Sequence, residues 1–245
     1  MSIELRNQIL NLIEEVDDNV EQRLDHFLEC INSEGSIDEV LKWLQTIKDN
    51  LPAEVTEINL NEVNDGWGIN DETGNFEHKT GGFFKVIGVK TETNIRESGK
   101  GWNQPMVDQG TEASVVGLVR QLDKDETPLY LIEAKFEPGN YDKVLLSPTL
   151  QVTCDNLNKL HSGRKPLFSE YFDDIRRKGV VKFEHWYPED GGRFYKKRVK
   201  NMLVEVDDIS EIPNNFIWLN MYQLKELLKL DNIMNPHLRS IISYL

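Results

Sequence analysis

Residues 131–161 constrain this chain more than any other stretch. They read LIEAKFEPGNYDKVLLSPTLQVTCDNLNKLH. Two apolar, β-rich runs, residues 129–136 and 143–153, flank the turn Glu137-Pro138-Gly139-Asn140. Proline interrupts a hydrogen-bonded ladder, so Pro138 and Pro148 mark points where pairing stops or bends. Around them sit Lys135, Glu137, Asn140, Thr149, Gln151, Thr153 and Asn156, a dense polar set among residues of buried character. Buried polar groups are costly unless bonded, so these either bond one another or meet a ligand. The pattern points to a small-molecule site framed by the rest of the chain.

The length of 245 residues leaves room for one large domain, or for a domain with an appendage. A net charge of −14 argues against a general nucleic-acid or membrane-surface binder, which should be basic. A local basic strip from Arg193 to Arg198 can still hold a phosphate. Cys30 and Cys154 lie far apart and outside any CxxC pair. They suggest neither a disulfide framework nor a zinc site, and they fit a reducing cytoplasm. The acidic, amphipathic start is unlike a signal peptide, and no apolar run approaches the length of a membrane span.

The spacing predicts an amphipathic helix over 3–31, with Ile9, Ile13, Val16, Val20, Leu24, Phe27 and Ile31 on one face. Gly35 ends it. Ser36 and Glu39 read as a capping box opening a second helix, with Ile37, Val40, Leu41, Leu44 and Ile47 inward and Pro52 closing it. Together they make an N-terminal helical hairpin, residues 1–52, which is either docked on the main domain or a dimerisation arm. Residues 53–245 form the main domain. Strands are expected at 83–91, 113–122, 129–136, 143–153, 180–187 and 199–206, and short helices at 155–161 and 169–178. Asp190-Gly191-Gly192 reads as a hairpin turn, and 219–230 as an amphipathic helix. Asn235-Pro236 reads as an N-cap with proline at the first position of a last helix reaching 245. This order gives an α+β class, with a mixed or antiparallel sheet and flanking helices.

The chain carries no GxxxxGK[ST], no GxGxxG after a strand, no HExxH and no GxSxG. Its five histidines, His26, His78, His161, His185 and His237, show no ligand spacing, so no metal is expected. Trp67 and Trp102 can stack on a base or sugar face, or simply pack. Glu133, Lys135 and Glu137 alternate and so share one face of a strand. That row is either a solvated sheet face or an acid/base row whose lysine steadies an enolate oxygen. Thr149, Gln151 and Thr153 share a face in the same way. Glu184 is either surface charge or a base near a strand end. Arg193, Arg198 and Lys200 either clamp a diphosphate or guard an edge strand.

Several strings carry a family resemblance. They are His78-Lys79-Thr80-Gly81-Gly82-Phe83-Phe84, Trp102-Asn103-Gln104-Pro105, the run AKFEPGN from Ala134 to Asn140, and LSPTLQVT from Leu146 to Thr153. Asn156, His161-Ser162-Gly163, Asn201 within 198–204, and the tail from Trp218 through Asn235 and Arg239 continue it. With these strings the chain resembles the NDP-hexose 2,3-dehydratases of deoxysugar biosynthesis over roughly residues 60–245.

The resemblance implies a Nudix-like fold without a Nudix box, and a nucleotide-linked 4-keto-6-deoxyhexose as substrate. It implies loss of water across C2–C3, a redox-neutral step that requires no nicotinamide, so no cofactor is expected. Many family members look like two tandem copies of this unit, and one copy is found here, which implies a homodimer. For this reaction we expect Glu137 or Glu184 as base, Lys135 and Gln151 on the keto or enolate oxygen, and His161 as a candidate acid. Trp67, His78, Trp102, Gln104, Asn140, Thr149, Thr153, Asn156 and Asn201 are expected to bind substrate, with Arg198 at the diphosphate. The unstable diketo product implies a ketoreductase in the same pathway. Two alternatives stand beside this: a non-catalytic sugar-nucleotide binding module, and a true Nudix-type hydrolase.

Overall fold

The computed structural model describes residues 3–13, 17–94, 101–153, 166–173 and 178–245. Three helices come first: α1 (Ile3–Leu10), α2 (Asp18–Asn32) and α3 (Asp38–Asn50). The single helix expected over 3–31 is therefore two. Asp17 begins the second by accepting a hydrogen bond from the Val20 amide at 2.8 Å, which caps α2. The expected apolar stripe also turns outward, with Phe27 58% and Ile31 48% exposed, while His26 and Leu28 are buried. Polar pairing decides that rotation. Glu29, one turn from His26, accepts from Tyr130 at 2.9 Å and from Arg120 at 3.0 Å. The expected capping box at Ser36 takes a smaller form: its hydroxyl accepts from the Asp38 amide at 3.1 Å. Helix α3 does bury Val40 and Leu44, as its periodicity requires.

A small antiparallel sheet follows, in the order β1 (Trp67–Ile69), β2 (Phe76–His78), β3 (Lys85–Thr91) and β4 (Trp102–Asp108). Only β3 was expected. Strands of three residues are too short to show alternation, and Pro105 sits inside β4.

The large sheet holds β5 (Glu112–Leu122), β6 (Pro128–Phe136), β7 (Val144–Ser147), β8 (Leu150–Thr153), β9 (Val180–Pro188), β10 (Arg198–Glu205) and β11 (Phe216–Asn220). Its order is β11-β6-β5-β10-β9, with β7 on β6 and β8 on β5. Strands β5 and β10 run parallel and the other pairs antiparallel, so the sheet is mixed. The run expected as one strand over 143–153 breaks at Pro148 into β7 and β8. That break is the centre of the sheet. Strands β5 and β6 pair from Val119↔Leu131 to Leu122↔Pro128 and then diverge. Strand β8 takes over β5 at Ser114–Gly117, and β7 takes over β6 at Glu133–Phe136. Thr149 sits in the fork, 2% exposed. Its hydroxyl accepts from the Val119 amide at 2.9 Å and donates to the Leu131 carbonyl, joining the two strands where they part.

Two further helices close the chain, α4 (Met221–Leu227) and α5 (Pro236–Tyr244). The helix expected from 219 starts at Met221, because Leu219 and Asn220 belong to β11; Asn220 caps α4 in a capping box with Gln223. The cap at Asn235 with proline at the start of α5 forms as expected. The expected helix at 155–161 lies outside the described residues. The one at 169–178 is described only as a 3-10 turn at Ser169–Tyr171.

Helices α3, α4 and α5 pack Val40, Leu44, Leu224, Leu238 and Ile241 against Ile132, Leu146 and Leu203. Neighbouring residues Leu131, Met202 and Val204 point the other way, into a second core with Phe172 and Phe216. Phe172 lies flat enough on β5 that a Cβ at Gly117 would come within 2.2 Å of its ring. Among the described residues no helix is long and apolar enough to cross a membrane.

Candidate functional site

The turn after β6 is held by its own polar groups. The Asn140 amide donates to the Glu137 carbonyl at 3.0 Å, and the Asn140 side chain donates to the Lys143 carbonyl at 3.1 Å. This turn brings Lys135 and Glu137 against β8. The Lys135 ammonium donates to the Gln151 main-chain carbonyl at 3.0 Å, and Gln151 Nε2 donates to Glu137 Oε1 at 2.9 Å. Segment 233–235 runs beside β7, with the Leu146 amide bonded to the Ile233 carbonyl at 2.8 Å and the Asn235 amide to the Leu146 carbonyl at 2.9 Å. Asn235 Nδ2 then donates to Gln151 Oε1 at 2.8 Å and to Ser147 Oγ at 2.9 Å.

Charge gathers around this group. Burial pushes the Glu133 carboxyl up to about 7, with the Glu137 charge adding to the rise and the Lys135 ammonium opposing it. His237, on the first turn of α5, is held below the usual imidazole value by burial, with Lys197 and Lys135 pushing the same way and Glu189 and Glu137 against. Lys197, its side chain 8% exposed, lies 3.5 Å from Glu189. The geometry thus sets an ammonium, an amide and a carboxylate side by side, with a second carboxyl that exchanges its proton near neutrality. Such a set can steady a developing oxyanion and move a proton.

The structure brings Lys135, Glu137 and Gln151 together, with Asn140 shaping the turn between them. Thr149 lies in the fork, its hydroxyl engaged within the sheet. Thr153 ends β8, opposite Ser114. Glu184 belongs to another group on β9 and β10: it lies 3.2 Å from Lys200, and the Trp186 ring lies 5.5 Å from the Lys200 ammonium and 5.3 Å from the Arg198 guanidinium. Arg198 also pairs with Glu112. Asn201 is buried beside them on β10, and its Oδ1 meets no hydrogen-bond donor among the described residues.

Trp67 and His78 sit in the small sheet, ring centroids 5.5 Å apart. His78 Nε2 donates to the Asp65 carbonyl at 3.0 Å, and its Nδ1 accepts from the Thr80 hydroxyl at 2.7 Å. Trp102 donates to Gln104 at 2.7 Å, and Gln104 donates to the Gly192 carbonyl at 2.8 Å, tying β4 to the loop that carries Lys197. Asn156 and His161 lie outside the described residues.

Asn235, His237, Ser147, Glu189 and Lys197 were not expected at the site. Ser147 and Asn235 lay in the strings that carry the resemblance, Asn235 also as a helix cap, and Lys197 lay in the basic strip, but none of these signals announces what the side chain touches. Among the described residues no group of three His, Cys, Asp or Glu side chains could hold a metal. A cavity of about 770 Å³ opens elsewhere, between α2 and the β5–β6 hairpin, lined by His26, Glu29 and Arg120 among others. Across it Arg120 donates to Glu29 at 3.0 Å, joining the helix to the sheet.

An α+β unit with a forked mixed sheet and an acid–amide–ammonium group at the fork is the class this fold and site define. The NDP-hexose 2,3-dehydratase family pattern matches residues 37–245, and the chain belongs to that family. It is 37% identical over 178 residues to a dTDP-4-dehydro-6-deoxy-α-D-glucopyranose 2,3-dehydratase of Saccharopolyspora spinosa, covering 72% of this chain and 36% of that protein. A protein of the same name from Amycolatopsis orientalis is 32% identical over 212 residues, covering 85% of this chain and 44% of the other. The chain therefore spans less than half the length of the curated relatives it matches.

Among solved structures, an ADP compounds hydrolase aligns at 9% identity with a TM-score of 0.42, covering 66% of this chain and 83% of that one. A Nudix hydrolase from M. smegmatis aligns at 12% identity and a TM-score of 0.32, covering 64% and 90%.

Proposed function

We propose that this chain removes water across C2–C3 of a nucleotide-linked 4-keto-6-deoxyhexose. The observation that carries the reading is the Lys135–Gln151–Glu137 contact, formed by the EPGN and SPTLQVT strings inside the matched region. The 4-keto group acidifies the C3 proton. Glu137, or Glu184, takes that proton, and the electron pair moves into the C3–C4 bond to give an enolate at O4. The Lys135 ammonium and the Gln151 amide steady that oxygen. The enolate collapses, the C2–O bond breaks, and an acid protonates the departing hydroxyl as water. His161 is the acid the resemblance suggests. The enol left at C3 tautomerises to a 3,4-diketo-2,6-dideoxy sugar.

Trp102, Gln104, Thr153, Asn156 and Asn201 belong to the proposed sugar and nucleotide pocket, with Arg198 at the diphosphate. A homodimer supplying a second copy of the unit, a ketoreductase that consumes the diketone, and a cytoplasmic setting complete the proposal. Incubation with dTDP-4-keto-6-deoxyglucose tests it, with mass spectrometry following the sugar nucleotide. Loss of one water supports the dehydratase. Binding without conversion makes the chain a binding module, and release of nucleoside monophosphate makes it a hydrolase. Full activity in a sedimenting monomer overturns the dimer.

A further inference from the structure

We propose that Asn235 is a positioning residue for the Lys135–Glu137–Gln151 group, fixing which end of the Gln151 side-chain amide faces Glu137. The inference rests on the dehydratase reading for its effect on turnover, and on hydrogen-bond geometry for everything else.

A main-chain N–H only donates, and the Leu238 amide lies 2.9 Å from Asn235 Oδ1. That oxygen is therefore the capping end, and the opposite end of the side chain is the NH2 group. Its two hydrogens meet Ser147 Oγ and Gln151 Oε1. Gln151 is thereby held with its oxygen toward Asn235 and its Nε2 toward the Glu137 carboxylate. Donor polarity runs one way, from the first turn of α5, through Asn235 and Gln151, to Glu137.

The anchor cannot drift. Asn235 is 1% exposed and Ser147 fully buried, so bulk water does not take over either bond. The main chain at 233–235 is pinned to β7 on both sides of Leu146.

Capping alone does not explain asparagine here. Aspartate and serine cap helices about as well. What aspartate lacks is the NH2 group. In Asn235→Asp the carboxylate still accepts from the Leu238 amide, but the group now facing Gln151 is an acceptor. Gln151 then turns its Nε2 toward Asp, which leaves its oxygen against Glu137. An oxygen in place of a donor disfavours the ionised carboxylate. The titratable groups that bear on Glu137 stay in place: Glu133 and Lys135 on β6 and His237 on α5, with Glu189 and Lys197 of the β9–β10 loop acting on His237.

The test compares Asn235→Asp, Gln151→Ala and the double variant. Turnover of Asn235→Asp is expected to fall by up to about 100-fold, with the acidic limb of the kcat/KM profile moved to higher pH. In the Gln151→Ala background the same change should cost almost nothing more, because the intermediary is already gone. A uniform loss at every pH, or full additivity of the two changes, overturns the proposal and leaves Asn235 a helix cap only. If Asn235→Asp does not fold, Asn235→Ser takes its place, since it keeps the cap and lacks the second donor. The Gln151 side-chain NH2 signals in 15N spectra provide a readout independent of turnover. They should shift strongly in the Asp variant, and unchanged signals overturn the inference. If the wild-type protein is inactive on the sugar nucleotide while Asn235→Asp still shows that spectral shift, the dehydratase reading falls and the positioning stands.

Discussion

The networks around Glu29 and around Gln151 are both half-buried and both built from a few charged and polar side chains, and they are wired differently. In the first, Glu29 accepts from Arg120 on one oxygen and from Tyr130 on the other, and Arg120 reaches on to Glu205 at 2.9 Å. Opposite charges meet and cancel, and the result ties α2 to the sheet. In the second, the side-chain bonds run in one direction, from Asn235 through Gln151 to the Glu137 carboxylate, and the Lys135 ammonium donates separately to the Gln151 main-chain carbonyl. A closed network of this kind holds a helix. A directional one fixes which way its last amide faces.

Six substitutions test that contrast. The largest effect is expected at the terminal pair. Lys135→Ala or Glu137→Gln should lower dehydration by about 10²–10⁴-fold, with a melting point near that of the wild type. If both variants turn over sugar nucleotide at the wild-type rate, the site is misplaced. Glu29→Ala should do the reverse. It leaves Tyr130 without its acceptor and Arg120 with Glu205 alone, and is expected to cost about 3 kcal/mol in urea unfolding, while turnover per folded molecule holds. An active-site defect in that variant would erase the distinction between the two networks.

Thr149→Val comes next. It takes the hydroxyl from the fork and leaves the Val119 amide and Leu131 carbonyl without their partner. A loss of about 1–3 kcal/mol is expected, read by chemical denaturation, and an unchanged midpoint would mean that the fork closes without it.

The smallest effect is one of pH, and it has opposite signs in the two regions. Burial and the Arg120 charge hold His26 down to about 4, so the unfolded chain binds its proton first on acidification. Its stabilisation is present above the ordinary imidazole value of 6.5 and is lost as pH falls toward 4, by at most about 1.4 kcal/mol per pH unit. Glu133 is raised from 4.5 to about 7, so the folded chain holds the extra proton, and its contribution is lost as pH rises through that window. The two terms oppose each other where the windows overlap. His26→Gln should therefore flatten the loss of stability on acidification, and Glu133→Gln should steepen it. Parallel pH–stability curves for the two variants would mean that neither group titrates as its surroundings require.

Much of the fold was legible because its signals are local. The alternating runs placed β5, β6, β9 and β10 within a residue or two, Pro148 marked the break between β7 and β8, and Asn235-Pro236 marked the start of α5. The small sheet was not legible, because three-residue strands carry no period. The turning of α2 was also hidden. An apolar stripe at Phe27 and Ile31 is the expected inward face, and it lost to an ion pair with Arg120, 91 residues away in the chain.

For the candidate site, the alternation of Lys135 and Glu137 with the string around Gln151 was readable, and so was the family those strings resemble. Whether that row met solvent or a partner was not. Sequence spacing establishes which side chains share a strand face, since that follows from backbone geometry. It says nothing about which remote segment comes to cover the face. Only the tertiary structure set Asn235 against Gln151 across 84 residues of chain, because the break at Pro148 opens the sheet and the segment before α5 runs along β7. Only burial lifted Glu133 toward neutrality and drew the Thr149 hydroxyl into the fork. Desolvation depends on everything packed around a group, and a linear pattern does not contain it.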